Sequence, residues 1–275
     1  MLGYFKYFNF LGELFTMAAG GEWLKMNIFL PVGISFFTFQ SISYVIDVYR
    51  GRIQPLGRWI DYVFYVSFFP QLVAGPIVRA RDFIPQMYKN PTVTRSEFGE
   101  GLFLILCGLF KKTVISDYIS MNFVDRIFDA PLLYTGVENL LGVYGYALQI
   151  YCDFSGYSDM AIGLGKMFGF EFMQNFNYPY ISKSVTEFWR RWHISLGSWF
   201  REYVYIPLGG NRVTVPRHIL NLLIVWFLTG LWHGASWNFV VWGLFYGVIL
   251  ITEKYFTGKI LAKLPGAVQT LYTMI

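Results

Sequence analysis

Long uncharged hydrophobic runs alternate with short charged stretches along this chain. Three of these runs cover residues 28–46, 62–78 and 219–251. A helix rises 1.5 Å per residue, so about 20 apolar residues cross a hydrocarbon core of about 30 Å. The pattern therefore predicts membrane-spanning helices. Pro70 and Pro76 interrupt the second run, and because lipid does not tolerate irregular backbone, that break must face protein or a water-filled cavity.

The run at residues 219–251 is too long for one membrane span. Its 33 residues contain no Asp, Glu, Lys or Arg, and one straight helix of that length would extend about 50 Å. We therefore predict two helices, broken around residues 230–237, with His233 at the break. The small residues Gly234 and Ala235 are expected to leave space for a substrate beside the imidazole.

Two further apolar runs carry charges inside them or at their ends. Residues 101–110 are too short to span and are followed by two lysines, which predicts an interfacial or partly inserted helix. Residues 140–164 form an apolar helix that includes Asp153 and Asp159. These acids could relay protons or orient a base, and they could equally cap a helix or pair within the bundle.

A capping box at residues 184–187 (SVTE) predicts the start of another helix. An apolar stripe then recurs at spacings of three and four, which is typical of one face of a helix in the interface plane or dipping into the membrane. The stripe comprises Trp189, Trp192, His193, Leu196, Trp199, Phe200 and Tyr203. Arg190, Arg191 and Arg201 lie off the stripe and could bind phosphates or anchor to lipid headgroups.

Composition agrees with a membrane protein, because 55% of residues are hydrophobic and only 14% are charged, whereas soluble domains are about one quarter charged. The net charge of +5 suits cytoplasmic loops and anionic headgroups better than nucleic acid. Cys107 and Cys152 form no metal-ligand spacing, so neither a metal site nor a disulfide scaffold is expected. The sequence contains no Walker loop, GxGxxG or GxSxG motif, which argues against an ATP-driven pump, a nicotinamide enzyme and a serine hydrolase. Most Trp and Tyr residues are expected at the membrane interfaces.

Two histidines are the candidate chemical groups. An ionisable side chain at membrane depth is costly, so His233 is a functional candidate that could act as a general base. His193 lies on the apolar stripe and could donate a hydrogen bond to a carbonyl. Either residue could instead be a structural histidine with hydrogen bonds inside the protein. His218 lies in a predicted polar loop, is expected to be solvated, and receives no role.

Six longer motifs carry a more specific signal. They are Pro31–Gln40 (PVGISFFTFQ), Phe69–Ile77 (FPQLVAGPI), Tyr151–Gly163 (YCDFSGYSDMAIG), Glu187–Leu196 (EFWRRWHISL), Tyr205–Asn211 (YIPLGGN) and Leu228–Gly234 (LTGLWHG). In this order, over about residues 27 to 250, they resemble the membrane-bound O-acyltransferase family, close to its alginate O-acetyltransferase branch.

The resemblance implies an all-α membrane protein, a multi-helix transmembrane bundle with re-entrant or interfacial helices around a central tunnel. It also implies that His233 is the catalytic histidine and that His193 is the second polar position of the site. The remaining candidates are Arg190, Arg191 and Arg201 for donor binding, and Asp153, Asp159, Trp232 and Asn238 as supporting residues of the tunnel.

The implied reaction moves an acetyl group from a cytoplasmic thioester, acetyl-CoA or another acyl thioester, to hydroxyls of an extracytoplasmic polysaccharide, directly or through a periplasmic or secreted acetyltransferase partner. The expected location is the bacterial cytoplasmic (inner) membrane, with several spans in contact with membrane lipid. No bound cofactor and no nucleic-acid partner is expected. Residues 1–275 are expected to be a single but partial domain, since family members usually have further spans at both ends.

Two alternatives come from other functional classes. A transporter or export subunit of a polysaccharide system would also use broken helices and intramembrane Asp and His residues, without acyl-transfer chemistry. A degenerate scaffold that only docks partners is the third hypothesis, although the presence of both His233 and His193 argues against it.

Overall fold

The computed structural model describes residues 1–89 and 92–274, and all regular elements in these residues are helical. The α-helices are Leu2–Phe5 (α1), Phe8–Ala19 (α2), Ile34–Tyr49 (α3), Trp59–Ser67 (α4), Phe69–Leu72 (α5), Ala80–Met87 (α6), Arg95–Leu109 (α7), Asp117–Ile119 (α8), Asp125–Asp129 (α9), Gly136–Met167 (α10), Val185–Arg191 (α11), Ile194–Phe200 (α12), Val215–His233 (α13), Trp237–Thr252 (α14), Gly258–Leu261 (α15) and Gly266–Met274 (α16). The all-α prediction is confirmed for the described residues.

Short helical segments of other pitch complete the elements. The π-helical segments are Phe110–Ser116, Ser120–Val124, Arg201–Tyr205 and Glu253–Thr257, and the 3₁₀ turns are Pro131–Leu133 and Pro179–Ile181. Contacts within the chain define two compact units. The first unit consists of Met1–Gly51 and Phe176–Ile275, and the second of Arg52–Asn175.

In the first unit, α13 and α14 form a helical hairpin, which confirms the predicted break around residues 230–237. The two backbones approach closely at a pair of glycines. A Cβ built on Gly230 would lie 2.3 Å from the carbonyl oxygen of Phe239, and one on Gly243 would lie 2.3 Å from that of Trp226. Glycine at both positions therefore allows the tight helix contact that membrane helices use.

The same hairpin contains the two segments of the described chain that are long and apolar enough to cross a membrane. They are Val215–His233, with 19 residues, and Trp237–Leu261, with 25. One face of the second segment exposes large apolar side chains, including Val241, Phe245 and Val248, each more than half exposed. Exposed apolar surface of this size is unfavourable in water and favourable in lipid.

The expected span at residues 28–46 is shorter in the structure. Its helix, α3, begins only at Ile34, after Gly33 in a left-handed conformation with φ of 73°. Pro31 restricts the residue before it to extended backbone, so a helix could not run through from residue 28.

In the second unit, α7 and α10 share the most extensive helix–helix contact. Here too glycines bring backbones together, since a Cβ on Gly108 would lie 2.4 Å from the carbonyl oxygen of Gly156. The break predicted within residues 62–78 is confirmed, because α4 ends at Ser67 and only the short α5 follows before Val73.

The prediction that the helix of residues 101–110 ends at Lys111 and Lys112 is wrong. Helical structure continues without interruption over residues 95–129. The Lys111 ammonium lies 2.6 Å from the carboxylate of Asp159, and that of Lys112 lies 2.7 Å from the carboxylate of Asp153. Because each lysine has a carboxylate partner on α10, the charges need not end the helix.

Candidate active site

His233 is the last residue of α13. Its Nδ1 lies 2.8 Å from the backbone carbonyl oxygen of Thr229, one turn earlier in the same helix. A carbonyl oxygen can only accept a hydrogen bond, so Nδ1 carries the proton and donates it. The lone pair of the neutral imidazole is then on Nε2, which is the protonation state that a general base requires.

Aromatic rings surround the His233 imidazole. Its centroid lies 4.9 Å from the ring of Trp232 and 4.7 Å from that of Trp242. Gly234 does not provide the open space predicted for it, because a Cβ there would lie 2.1 Å from ring carbons of Phe239. Gly234 makes room for a protein side chain at this position.

His193 lies at a break that the sequence did not predict. The single helix expected from residue 184 ends at Arg191, Trp192 is extended, and His193 is left-handed with φ of 45° and ψ of 54° before α12 begins. Outside Gly, Asn and Asp, a left-handed backbone is uncommon and costs about 1–3 kcal/mol. Strain of this kind is found at functional sites, and the role of His193 stays a prediction.

The structure brings the two predicted histidines together around one indole ring. The ring centroid of Trp232 lies 5.7 Å from that of His193 and 4.9 Å from that of His233. His193 is buried within the protein. Burial lowers the pKa of His193 well below its usual value, and the nearby His233 lowers it further, so His193 is neutral at pH 7.

The second half of the apolar stripe packs against α3 and does not face lipid. Trp199 stacks on Phe39 with ring centroids 3.9 Å apart, and its indole N–H donates to the Phe39 carbonyl oxygen at 3.1 Å. The Tyr203 hydroxyl donates to Asp47 at 2.7 Å. These rings were expected at a membrane interface, but α3 supplies buried acceptors for their polar hydrogens.

Two residues that the sequence analysis did not single out hold the end of α13. The Tyr7 hydroxyl donates to the carbonyl oxygen of Leu231 at 2.8 Å, and the Lys6 ammonium donates to that of Trp232 and to the Ser35 hydroxyl. A cation is favourable at a helix C-terminus. Burial lowers the pKa of Lys6 to about 8, so the ammonium form still predominates at pH 7. One feature of the sequence could have indicated a role for Lys6, since it is the only Lys or Arg in the first 24 residues.

A cavity of about 570 Å³ lies beside the opposite end of α13. Three cationic side chains line it, those of Lys183, Arg190 and Lys254, together with the carboxylate of Glu253. Glu253 is buried. Thr186 donates two hydrogen bonds to its carboxylate, one from the backbone N–H at 2.8 Å and one from the hydroxyl. The three cationic side chains outnumber this single carboxylate, so the cavity favours an anionic ligand.

His218 also lines this cavity, and the expectation that it is a solvated loop residue is wrong. It is buried in the first turn of α13. Its Nε2 lies 2.8 Å from the Tyr205 hydroxyl, and its Nδ1 lies 2.6 Å from the Tyr255 hydroxyl. The preceding Pro216 is compatible with the first turn of a helix, so the apparent loop is the beginning of α13.

The three candidate arginines have different surroundings. Arg190 lines the cavity. Arg191 forms an ion pair with Glu187 at 2.8 Å and donates to the carbonyl oxygen of Asn177 at 3.1 Å. Arg201 is exposed in a π-helical segment and does not line the cavity. Arg190 is therefore the arginine best suited to an anionic ligand.

The remaining candidates belong to two different surroundings. Asn238 is exposed in the first turn of α14. Asp153 and Asp159 belong to the second unit and pair there with Lys112 and Lys111. These ion pairs agree with the pairing alternative for the two acids, and a role of any of the three in a tunnel stays a prediction.

The chain is similar to known proteins. The chain matches the membrane-bound O-acyltransferase family over residues 58–262, and it belongs to that family. It is 48% identical over 258 residues to the probable alginate O-acetylase AlgI of Azotobacter vinelandii, and this match covers 92% of the chain and 51% of the relative.

Two further relatives give a similar picture. AlgI of Pseudomonas aeruginosa is 47% identical, with 92% of this chain and 49% of the relative covered. The peptidoglycan O-acetyltransferase of Helicobacter pylori is 38% identical, with 94% and 54% covered. The chain thus spans about half the length of these relatives, and the family resemblance of the motifs is confirmed.

Proposed function

We propose that this protein is a membrane O-acyltransferase that moves an acetyl group from a thioester donor toward hydroxyls of an extracytoplasmic polysaccharide. The hydrogen bond of His233 Nδ1 to the Thr229 carbonyl carries the proposal, because it leaves Nε2 as a base. The names of the relatives support it, since they describe acetyl transfer to alginate and to peptidoglycan.

In this mechanism His233 Nε2 takes the proton of the acceptor hydroxyl while the hydroxyl oxygen attacks the acyl carbonyl carbon. The tetrahedral intermediate then expels the thiolate, and the thiolate takes the proton from the imidazolium. The imidazolium forms at the C-terminus of α13, where the helix dipole stabilises a cation by about 0.3–1 kcal/mol.

The donor in this proposal is acetyl-CoA, with its phosphate groups in the cavity lined by Lys183, Arg190 and Lys254. His218, on the cavity wall, is 15 residues before His233 in the same helix, a separation of about 22 Å. A donor with phosphates at one end and a thioester at the end of a long flexible arm suits that separation.

We expect Arg190→Glu to raise the KM for acetyl-CoA about tenfold or more and to leave kcat within about threefold, because Arg190 meets the donor phosphates away from the reacting atoms. Initial rates at varied acetyl-CoA concentration measure this. Arg212→Glu makes the same charge change at an exposed residue that does not line the cavity, and it should leave KM unchanged. Equal effects of the two variants would contradict the donor site.

The membrane setting is also proposed. The hairpin of α13 and α14 is one part of a multi-pass protein in the bacterial cytoplasmic membrane, with the two histidines in a tunnel formed by spanning and re-entrant helices. The donor enters from the cytoplasm. The acceptor is the polysaccharide itself or a periplasmic or secreted acetyltransferase partner that completes the transfer.

A labelled-thioester assay tests the function and separates it from the transporter alternative. Detergent-purified protein is incubated with acetyl-CoA labelled on the acetyl group, with and without alginate oligosaccharides. Release of free thiol and appearance of labelled acetate or ester are expected. A preparation that leaves the thioester intact, yet moves labelled oligosaccharide across proteoliposomes, would instead identify a transporter.

A further inference from the structure

The indole N–H of Trp232 is the feature that the proposed mechanism leaves unused. Trp232 is 9% exposed, and its Nε1 has no hydrogen-bond partner within the described part of the chain. Buried donors are nearly always paired, because leaving one unpaired costs its full desolvation penalty. An unpaired donor inside a site is therefore available to a ligand.

A neighbouring tryptophan shows that this protein can satisfy a buried indole. The Trp199 N–H donates to the carbonyl oxygen of Phe39, and the Phe39 ring also contacts Trp232, with centroids 5.8 Å apart. Phe39 of α3 thus provides a hydrogen-bond acceptor for the Trp199 indole and a packing surface for the Trp232 indole. Trp232 instead holds its unpaired N–H in a ring that lies beside both histidines.

Several contacts fix the Trp232 ring in place. The Phe36 ring packs edge-on against it at 5.6 Å, and the Lys6 ammonium lies 5.6 Å from its centroid while also binding its backbone carbonyl. The ring lies next to both His193 and His233. A donor that is rigid before the reaction stabilises developing charge without reorganisation at the moment of reaction.

We propose that the Trp232 indole N–H is a catalytic hydrogen-bond donor to the acyl carbonyl oxygen of the donor thioester. The inference rests on the proposed acyl transfer. When the acceptor oxygen bonds to the carbonyl carbon, the C=O π electrons move to the oxygen, and the indole N–H donates to that oxyanion without giving up its proton. Collapse re-forms the C=O bond and breaks the C–S bond.

An isosteric amino acid tests this role. Replacing Trp232 by benzothienylalanine, incorporated during translation, exchanges the N–H for sulfur and keeps the bicyclic shape. We expect kcat for thioester cleavage and for acyl transfer to fall by about 10²–10³-fold, as for loss of one oxyanion donor, with KM for acetyl-CoA within about threefold. Trp232→Phe should show the same division between kcat and KM.

Trp189 offers a matched control. Its indole N–H is also buried without a partner in the described residues, but its ring packs on Trp226, Trp242 and Tyr246. The same substitution there should leave kcat within about threefold. The proposal is overturned if both substitutions have equal effects on kcat, or if the Trp232 substitution changes only KM. Failure of the unmodified protein to cleave the thioester would instead refute the proposed function.

Discussion

His233→Ala is expected to lower kcat/KM for acyl transfer by roughly 10³–10⁴-fold, because the substitution removes the base that deprotonates the acceptor hydroxyl. The Nδ1 hydrogen bond to Thr229 is what prepares Nε2 for that step. The measurement is transfer of labelled acetyl from acetyl-CoA by detergent-purified protein, at matched protein concentration.

Thr252→Ala is the control for this variant. Thr252 lies in the same hairpin, at the far end of α14, and its hydroxyl donates only to the carbonyl oxygen of Val248 in its own helix. The control should retain the unmodified rate and show that substitution within the hairpin is tolerated. If the His233 variant is folded, with an elution profile like that of the control, and still transfers acetyl at the unmodified rate, His233 is not the base.

Gly243→Leu should have the largest effect on stability. A Cβ at this position would lie 2.3 Å from the Trp226 carbonyl oxygen and 3.0 Å from both the Cα and the backbone nitrogen of Gly230. These are backbone atoms, which cannot turn aside as a flexible side chain can, so α13 and α14 must separate. We expect the free energy of unfolding to fall by about 3 kcal/mol or more. Thermal unfolding in detergent and the yield of monodisperse protein measure this loss.

Gly99→Ala is the opposite case. Gly99 lies inside α7, and a Cβ there meets nothing within 4 Å. Alanine should therefore stabilise the helix by about 0.5–1 kcal/mol, through the lower conformational entropy of the unfolded chain. The two variants together test the packing. If Gly243→Leu has the same melting temperature as the unmodified protein, the close contact between α13 and α14 is contradicted.

Some features of the candidate site were accessible from the order of residues. The length of the uncharged run at residues 219–251 exceeded one span, which predicted the hairpin and the position of His233 at its break. The cost of an ionisable group at membrane depth then identified His233 as a candidate. Both inferences depend on local composition and helix geometry, and these can be evaluated along a single segment.

The conformation of His193 was not accessible in this way. Residues 184–203 have the periodicity of one continuous helix, with neither Gly nor Pro at the observed break. The stripe that follows His193 is anchored through Trp199 and Tyr203 to α3, a segment distant in the chain. Periodicity identifies an apolar face, but it does not reveal which distant segment will cover it.

The sequence by itself predicted a helical membrane protein and its family motifs. It also predicted that residues 219–251 form two helices with His233 at the break between them. Tertiary structure decided the surroundings of the site: that Trp232 lies beside both histidines, and that Lys6 binds the C-terminal end of α13. The physical reason is that hydrophobic periodicity depends on neighbours in the chain, whereas hydrogen bonds and buried charges depend on partners up to 226 residues away.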